Sequence, residues 1–431
     1  YLGLARNDYK PLVNHAVSGT YPPGSTFKIV PLAGALQENL VAPTRRLNAP
    51  GEIVIANKFA PNDPGRAQTF VCWLRTGHGT VDAYTGLAQS CDIYFYKIGG
   101  GYDQEDEYVE GLGVEGIALY GTQFGFGRVQ GIELPLEAPG NLPPNRNWKA
   151  QTYGEPWSTG DDYNLSIGQG FATSTPLQVA QMGAVIANGG FLYRPSIIHH
   201  MTDEDGNVVK TDEDGNIIAR AYLDLDGEVI ITDERGEPLD DPSIRFEFDE
   251  EGNYIFQSEV IDALAVDSQY IKVVADGMKL VNTFISPEEF YTGATYIDWL
   301  DKFGITTAGK TGTSEYCDNI AIDRGWCRFE DIQQAKILPT HAWYVGYAPV
   351  ENPEIVVSVF TFNGGEGSRW SAPVACHVMA YYFRLAQYAD GLTREEWQEQ
   401  IKPENRACNY AFGVNPVFEP PPEAVEVPVE N

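Results

Sequence analysis

The stretch from Tyr21 to Leu40 constrains this chain more than any other. Tyr21-Pro-Pro-Gly24 is a turn signal, and it feeds Ser25–Leu40, an apolar run of helical length. Pro31 lies inside the run, where it should weaken one backbone bond. Breaches of this kind gather at functional sites, although ordinary buried helices also contain them. Ser25 and Lys28 stand at the head of the run, three residues apart, and on a helix that spacing puts both on one face. Lys28 is therefore expected to hydrogen-bond the Ser25 hydroxyl. A serine hydroxyl is a weak nucleophile and needs a base beside it. A lysine serves as that base when burial or a neighbouring cation lowers its pKa. The helix N-terminus adds N–H groups and a positive field that favour an oxyanion at Ser25. Alone, Ser-x-x-Lys is weak, since chance supplies about one in a chain of this length.

Two further segments carry chemistry. Lys310-Thr-Gly-Thr313 offers a cation, hydroxyls and a gap without a side chain, along which a ligand backbone can lie. Read by itself it is more simply a polar strand end. Ser90-Cys-Asp92 is less specific still, because any surface loop supplies such a tripeptide. The order is more telling. Ser-x-x-Lys is followed after 65 residues by Ser-x-Asp, and after a further 220 by Lys-Thr-Gly.

The remaining sequence sets the organisation. Residues 81–98 read as a second helix. Thr175 caps a third, which Pro176 opens and Gly189-Gly190 close. A helical stretch near 258–283 precedes strands at 305–313, Trp343–Tyr347 and Ile355–Phe362, and Ala372–Tyr388 reads as the last helix. Between them, Thr202-Asp-Glu-Asp-Gly-Asn-Val-Val209 recurs as Thr211-Asp-Glu-Asp-Gly-Asn-Ile-Ile218, with a looser third copy at 224–231. Asp-Gly between short apolar runs signals hairpins. The glycine spacing departs from the EF-hand loop, so solvated acidic hairpins are preferred to a calcium site.

Charge supports this division. Lys plus Arg is 29 against 60 Asp plus Glu, a net of −31. Residues 202–253 hold 18 acids and 4 bases, so −14 of that charge falls there. Such a chain is a poor partner for nucleic acid or an anionic membrane surface. With 43% hydrophobic and 12% aromatic residues it can still build a sizeable core. No stretch approaches the roughly 20 apolar residues of a membrane span, and no signal peptide is visible. The chain starts at Tyr1 with motif-bearing sequence close behind, so a fragment or a processed form is expected. Of six cysteines, Cys317 and Cys327 either close a short loop in an oxidising compartment or remain thiols.

With the three motifs in this order, the sequence resembles the class B penicillin-binding proteins. Tyr21-Pro-Pro-Gly-Ser-Thr-Phe-Lys28, Gly77-His-Gly79, Ser90-Cys-Asp-Ile-Tyr-Phe-Tyr96, Ser166-Ile-Gly-Gln-Gly170, Thr175-Pro-Leu-Gln178, Ala308-Gly-Lys-Thr-Gly-Thr313, Trp343-Tyr-Val-Gly-Tyr-Ala-Pro349 and Asn363-Gly-Gly-Glu-Gly367 all match in order. The likeness covers about residues 9–200 and 258–388. Asp92, with Gly77-His-Gly79 ahead of it, is closer to the elongation-type penicillin-binding protein 2 than to division-type relatives, which usually have Asn there.

The resemblance implies an α/β (α+β) transpeptidase fold of the serine β-lactamase kind, an antiparallel central sheet between helices. It further implies that the sheet's first strands lie upstream of Tyr9 and are missing here. The expected parts are 1–200 and 257–412 for the transpeptidase domain, 201–256 for an acidic hairpin insertion, and 413–431 for a disordered Pro/Glu-rich tail. The implied activity is peptidoglycan D,D-transpeptidation through a Ser25 acyl-enzyme, blocked by β-lactams, at the outer face of the bacterial cytoplasmic membrane. Lys28 would be the base, Ser90 and Lys310 the proton path to the leaving group, and Asp92, Thr311, Gly312 and Thr313 the substrate contacts. Implied partners are peptidoglycan stem peptides, β-lactams and a membrane enzyme of the elongation machinery that polymerises glycan. A serine β-lactamase shares the motifs but is usually shorter, and a non-catalytic β-lactam sensor would need a signalling segment that is not visible.

Catalysis needs no cofactor on this reading. A structural zinc is nevertheless expected from Cys72, His78 and Cys91, all good zinc ligands within twenty residues. Relatives usually add a Cys or Asp upstream. Ala49-Pro-Gly51 stands there in this chain, and Asp63 or water is the substitute considered. The alternative is two buried thiols and a hydrogen-bonded histidine.

Overall fold

The computed structural model describes residues 11–56, 63–104, 107–212, 214–224, 226–249, 251–283, 300–301, 303–316 and 340–383, together with Cys408. The chain divides into two compact units. One comprises 1–129, 138–192 and 263–431, and the other 130–137 and 193–262.

The first unit carries the motifs. Ser25 lies in a 3₁₀ helix, Gly24–Lys28, which runs into α1 (Ile29–Gln37). The continuous helix expected from Ser25 is thus two kinds of helix in series. The junction also explains Pro31. It is the third residue of α1, where a backbone N–H has no partner within the α-helix, so the ring removes little. The short hairpin β1 (Glu52–Ile55) and β2 (Gln68–Val71) follows, paired as Ile53↔Phe70 and Val54↔Thr69. The single helix expected over 81–98 is instead α2 (Ala83–Ala88) and α3 (Asp92–Gly100). Asp82 caps α2 by accepting from the Thr85 N–H at 2.9 Å. The break comes at Ser90, whose φ of 51° no α-helix tolerates.

Thr175 caps α4 (Pro176–Ala187) as expected, in a capping box with Gln178 and with Pro176 in the first turn. After α5 (Ser268–Thr283) comes an antiparallel sheet of three described strands, β3 (Ala308–Glu315), β4 (Thr340–Ala348) and β5 (Ile355–Thr361), followed by α6 (Gly367–Tyr382). Strand residues alternate between faces. Tyr344, Ala348 and Val357 pack on one face with Ala372, Ala375, Cys376 and Met379 of α6. Val345 and Val356 belong to the other face. There Gly183 of α4 lies so close that a Cβ would come within 2.8 Å of Val345 and 3.1 Å of Val356. The sheet is therefore sandwiched by helices. Cys376 forms a disulfide with Cys408, a pairing the sequence reading did not propose. Cys317, Cys327 and the 413–431 tail lie outside the described residues.

The second unit is built from one repeated turn. Its four-stranded antiparallel sheet runs in the order Val229–Thr232, Ile217–Leu223, Val208–Thr211, Met201–Thr202. Val208, Ala219, Ala221 and Phe246 form a small core of its own. Five turns, not three, share one geometry. Asp203, Asp212, Asp224, Asp233 and Asp249 each accept, through Oδ1, from the N–H groups two and four residues on, at 2.8–3.1 Å. The first acid of each repeat closes its own turn, and the side-chain amides of Asn216 and Asn253, and then the backbone bonds, hold Asp212 and Asp249 below the usual carboxylate range, as the backbone bonds do for Asp233.

Candidate active site

The three motifs converge on one cleft of about 470 Å³, lined by Ser25, Ser90, Asp92, Thr311, Gly312 and Thr313 among others. Each arrives on a different element. Ser25 and Lys28 come from the 3₁₀ helix, Ser90 from the left-handed break between α2 and α3, and Lys310 to Thr313 from β3.

Two fully buried lysines meet at Ser90. Lys28 Nζ donates to Ser90 Oγ at 3.2 Å and Lys310 Nζ to the same atom at 2.9 Å. Lys28 also donates to the Ser90 carbonyl at 2.8 Å and to Asp92 Oδ1 at 2.6 Å. Its donors are thus directed at Ser90 and Asp92 rather than at Ser25, contrary to the expectation from helical spacing. The reason is the competing acceptor, since residues i and i+3 of a 3₁₀ turn still share a face but Asp92 offers Lys28 a stronger, charged partner. Burial, and then the Lys28 charge, hold Lys310 well below the usual lysine range.

Asp92 was expected to contact substrate. Both its oxygens are held within the protein, Oδ1 by Lys28 and Oδ2 by the Trp73 N–H at 2.9 Å. It sits in the first turn of α3 and orients Lys28. Burial pushes its carboxyl up, while the Lys28 ammonium acts the other way.

Gly312 lines the cleft and also permits a close approach within the protein. A Cβ there would come within 2.9 Å of Thr26 Cγ2 and 3.2 Å of the Pro23 carbonyl. The side-chain-free gap lets the serine-bearing helix approach β3. Gly24, at φ 55°, has the same role from the other side, since its Cβ would lie 2.7 Å from the Thr313 carbonyl.

The outer edge of β3 borders the cleft. The Glu315 N–H donates to Gln169 Oε1 at 3.1 Å, away from β4. Amides alternate along an antiparallel strand, so the N–H and C=O of Thr313 and Thr311 turn the same way. The Thr311 carbonyl accepts from Lys310 Nζ at 2.9 Å. Gln169 is a wall residue that motif reading missed, although it lies within the quoted Ser166-Ile-Gly-Gln-Gly170 segment.

Beside the cleft, one ligand atom from each of Cys72, His78 and Cys91 lies within 4.8 Å of the others. Cys72 Sγ is 3.5 Å from His78 Nδ1, and both thiols are fully buried. Hydrogen bonding from Cys91, and then from His78, holds the Cys72 thiol far below its usual range, while burial pushes Cys91 up. His78 Nε2 is buried without a hydrogen-bond partner among the described residues. Two soft sulfurs and an imidazole in this arrangement fit zinc. Asp63 is not in the group. Its carboxylate accepts from the Gly65 N–H at 3.0 Å and pairs with Arg66 at 3.4 Å.

The family model for the penicillin-binding protein transpeptidase domain matches residues 3–380. Peptidoglycan D,D-transpeptidase MrdA of Haemophilus influenzae is 29% identical over 395 residues, 89% of this chain and 49% of that protein. The chain spans about half the length of the curated relatives it matches. The structure of Pseudomonas aeruginosa penicillin-binding protein 2 in complex with WCK 5153 superposes with a TM-score of 0.58 at 27% identity, over 92% of this chain and 68% of that one. A chain in the structure of a peptidoglycan synthase complex gives 0.57 at 25% identity, over 91% and 50%. Their fold is the penicillin-binding, β-lactamase-like one described above, and the chain belongs to the penicillin-binding protein transpeptidase family.

Proposed function

We propose that this chain is a serine D,D-transpeptidase of the elongation type, which cross-links peptidoglycan stem peptides and is acylated by β-lactams. The observation that carries the reading is the convergence of Lys28 and Lys310 on Ser90 Oγ at the edge of the Ser25 cleft. Ser25 Oγ attacks the carbonyl of the penultimate D-Ala in a stem ending D-Ala-D-Ala, and Lys28 takes its proton. The N–H groups of Ser25 and Thr313 hold the oxyanion. Lys28, now carrying the Ser25 proton, and Lys310 both donate to Ser90 Oγ, which passes its own proton to the leaving D-Ala nitrogen as the C–N bond breaks and recovers one from Lys28. Thr311 and Thr313 take the terminal carboxylate. An amine from a second stem then resolves the ester.

Zinc would be held by Cys72, His78 and Cys91. When bound it supplies structure rather than reaction chemistry, pinning the segment that carries Ser90 and Asp92. The Cys376–Cys408 disulfide supports an oxidising location, as at the outer face of the cytoplasmic membrane. Among the described residues no helix is long and apolar enough to cross a membrane. A glycan-polymerising enzyme of the elongation machinery is the proposed protein partner, in line with the synthase complex among the similar structures.

The test is a donor peptide ending D-Ala-D-Ala offered with an amine. A new amide together with released D-Ala, both blocked by penicillin, supports the reading. Rapid penicillin turnover would instead make this a β-lactamase. A stable adduct with no peptide chemistry would make it a sensor.

A further inference from the structure

Two strands meet the cleft edge-on, β3 and β2. β2 pairs with β1 on one side, and the Cys72 N–H extends that pairing to the Gly51 carbonyl at 2.8 Å. Because amides alternate, Phe70 and Gln68 also turn toward β1, while Thr69 and Val71 turn away. The Val71 carbonyl agrees, since it accepts from the Tyr96 hydroxyl at 3.3 Å. The N–H and C=O of Thr69 and the N–H of Val71 therefore form an outer edge, and among the described residues no strand pairs with it. Gln68, Thr69, Phe70 and Val71 all line the same cleft as Ser25. A strand presenting a face would line it with alternate residues, whereas four in succession mark an edge.

A transpeptidase handles two peptides. The donor is assigned to the β3 edge, beside Thr311 and Thr313. We infer that the outer edge of β2 is the acceptor subsite, where the second stem peptide adds as a strand. Main-chain hydrogen bonds to Thr69 and Val71 would hold it. They would fix its amine near the Ser25 ester without reading its side chains closely. The amine nitrogen attacks the ester carbonyl, the new C–N bond replaces the C–Oγ bond, and the amine proton passes to Ser25 Oγ. The inference rests on the transpeptidase reading and adds the place of the second substrate.

The experiment uses the full chain, diacetyl-L-Lys-D-Ala-D-Ala as donor, and two acceptors, a tetrapeptide stem with a free side-chain amine and glycine. The readout is the split of the acyl-enzyme between hydrolysis and amide formation. With unaltered protein, tetrapeptides N-methylated at one backbone amide at a time are compared with the unmethylated acceptor. At least one methylation should lower amide formation about tenfold relative to hydrolysis, while transfer to glycine, too short to pair, continues. Thr69→Pro removes an N–H that makes no bond to β1, so it should fold, and a penicillin adduct at Ser25 reports that it has. It should lower transfer to the tetrapeptide by a similar factor. Full transfer to every methylated acceptor, or a folded Thr69→Pro with the original split, would overturn the assignment. If penicillin fails to acylate the unaltered protein, or neither amine is ever joined, the transpeptidase reading itself fails and the acceptor edge with it.

Discussion

Lys310 Nζ lies 2.9 Å from Ser90 Oγ, across 220 residues of sequence. Lys28 reaches the same oxygen from the other motif at 3.2 Å. Ser90 is thereby fixed as a double acceptor with one proton to give, and its left-handed backbone holds it between two helices in that position. Conformational strain of this kind in a non-glycine residue is worth keeping only where geometry matters.

Lys28→Arg keeps a positive charge but cannot be deprotonated near neutral pH. Penicillin acylation is expected to fall on the order of 10²–10⁴-fold, the usual contribution of a general base. Stopped-flow acylation kinetics measure this directly, and an arginine variant that acylates at the original rate would show that the base lies elsewhere.

His341 gives a pH dependence of stability. It is buried among Tyr21, Tyr316, Phe360 and Phe362, and its Nδ1 accepts from the Asn363 N–H at 3.0 Å. Burial lowers its pKa from 6.5 to about 4. The unfolded chain therefore binds the proton first as pH falls, and stability present above pH 6.5 is lost toward pH 4. Between pH 7 and 4.5 this one group should cost about 2 kcal/mol. Denaturant titrations of the original protein and His341→Asn, which keeps an acceptor near the Nδ1 position, should differ in pH slope by that amount. Parallel slopes would contradict the assignment.

The acidic unit has its own small core, and the motif-bearing residues all belong to the other unit. Deleting residues 202–253 is expected to leave penicillin acylation within a few-fold of the intact chain. A folded, soluble deletion that no longer acylates would mean the hairpins shape the cleft.

The legibility of this protein follows from what each signal depends on. Ser25, Lys28 and Lys310 were readable because their chemistry needs fixed residue types in a fixed order. The two-part helix around Ser90 was not, since residues 81–98 have helical composition and the break shows only in the left-handed backbone of Ser90. Two of the five insertion turns escaped because Asp233-Glu-Arg-Gly-Glu237 and Asp249-Glu-Glu-Gly-Asn253 keep only the positions the turn requires, an acid and a glycine three residues on. Asp63 was attractive by residue type alone, yet its carboxylate is engaged locally with Gly65 and Arg66. The Cys376–Cys408 pairing joins residues 32 apart, and spacing alone could not single it out from the other cysteines.

Metal analysis addresses the cysteine–histidine group. About one zinc per chain is expected in protein purified without chelators, and Cys72→Ser or His78→Ala should lose it and melt at lower temperature. Protein that takes up no zinc when it is supplied, yet melts and acylates normally, would leave two buried thiols and a histidine as the whole account.

Intact-mass analysis after incubation with penicillin, followed by peptide mapping, tests the central claim most directly. The account predicts one covalent adduct per chain on the peptide containing Ser25, persisting for the length of the experiment and absent from Ser25→Ala. An adduct on any other residue, or none on correctly folded protein, would contradict it.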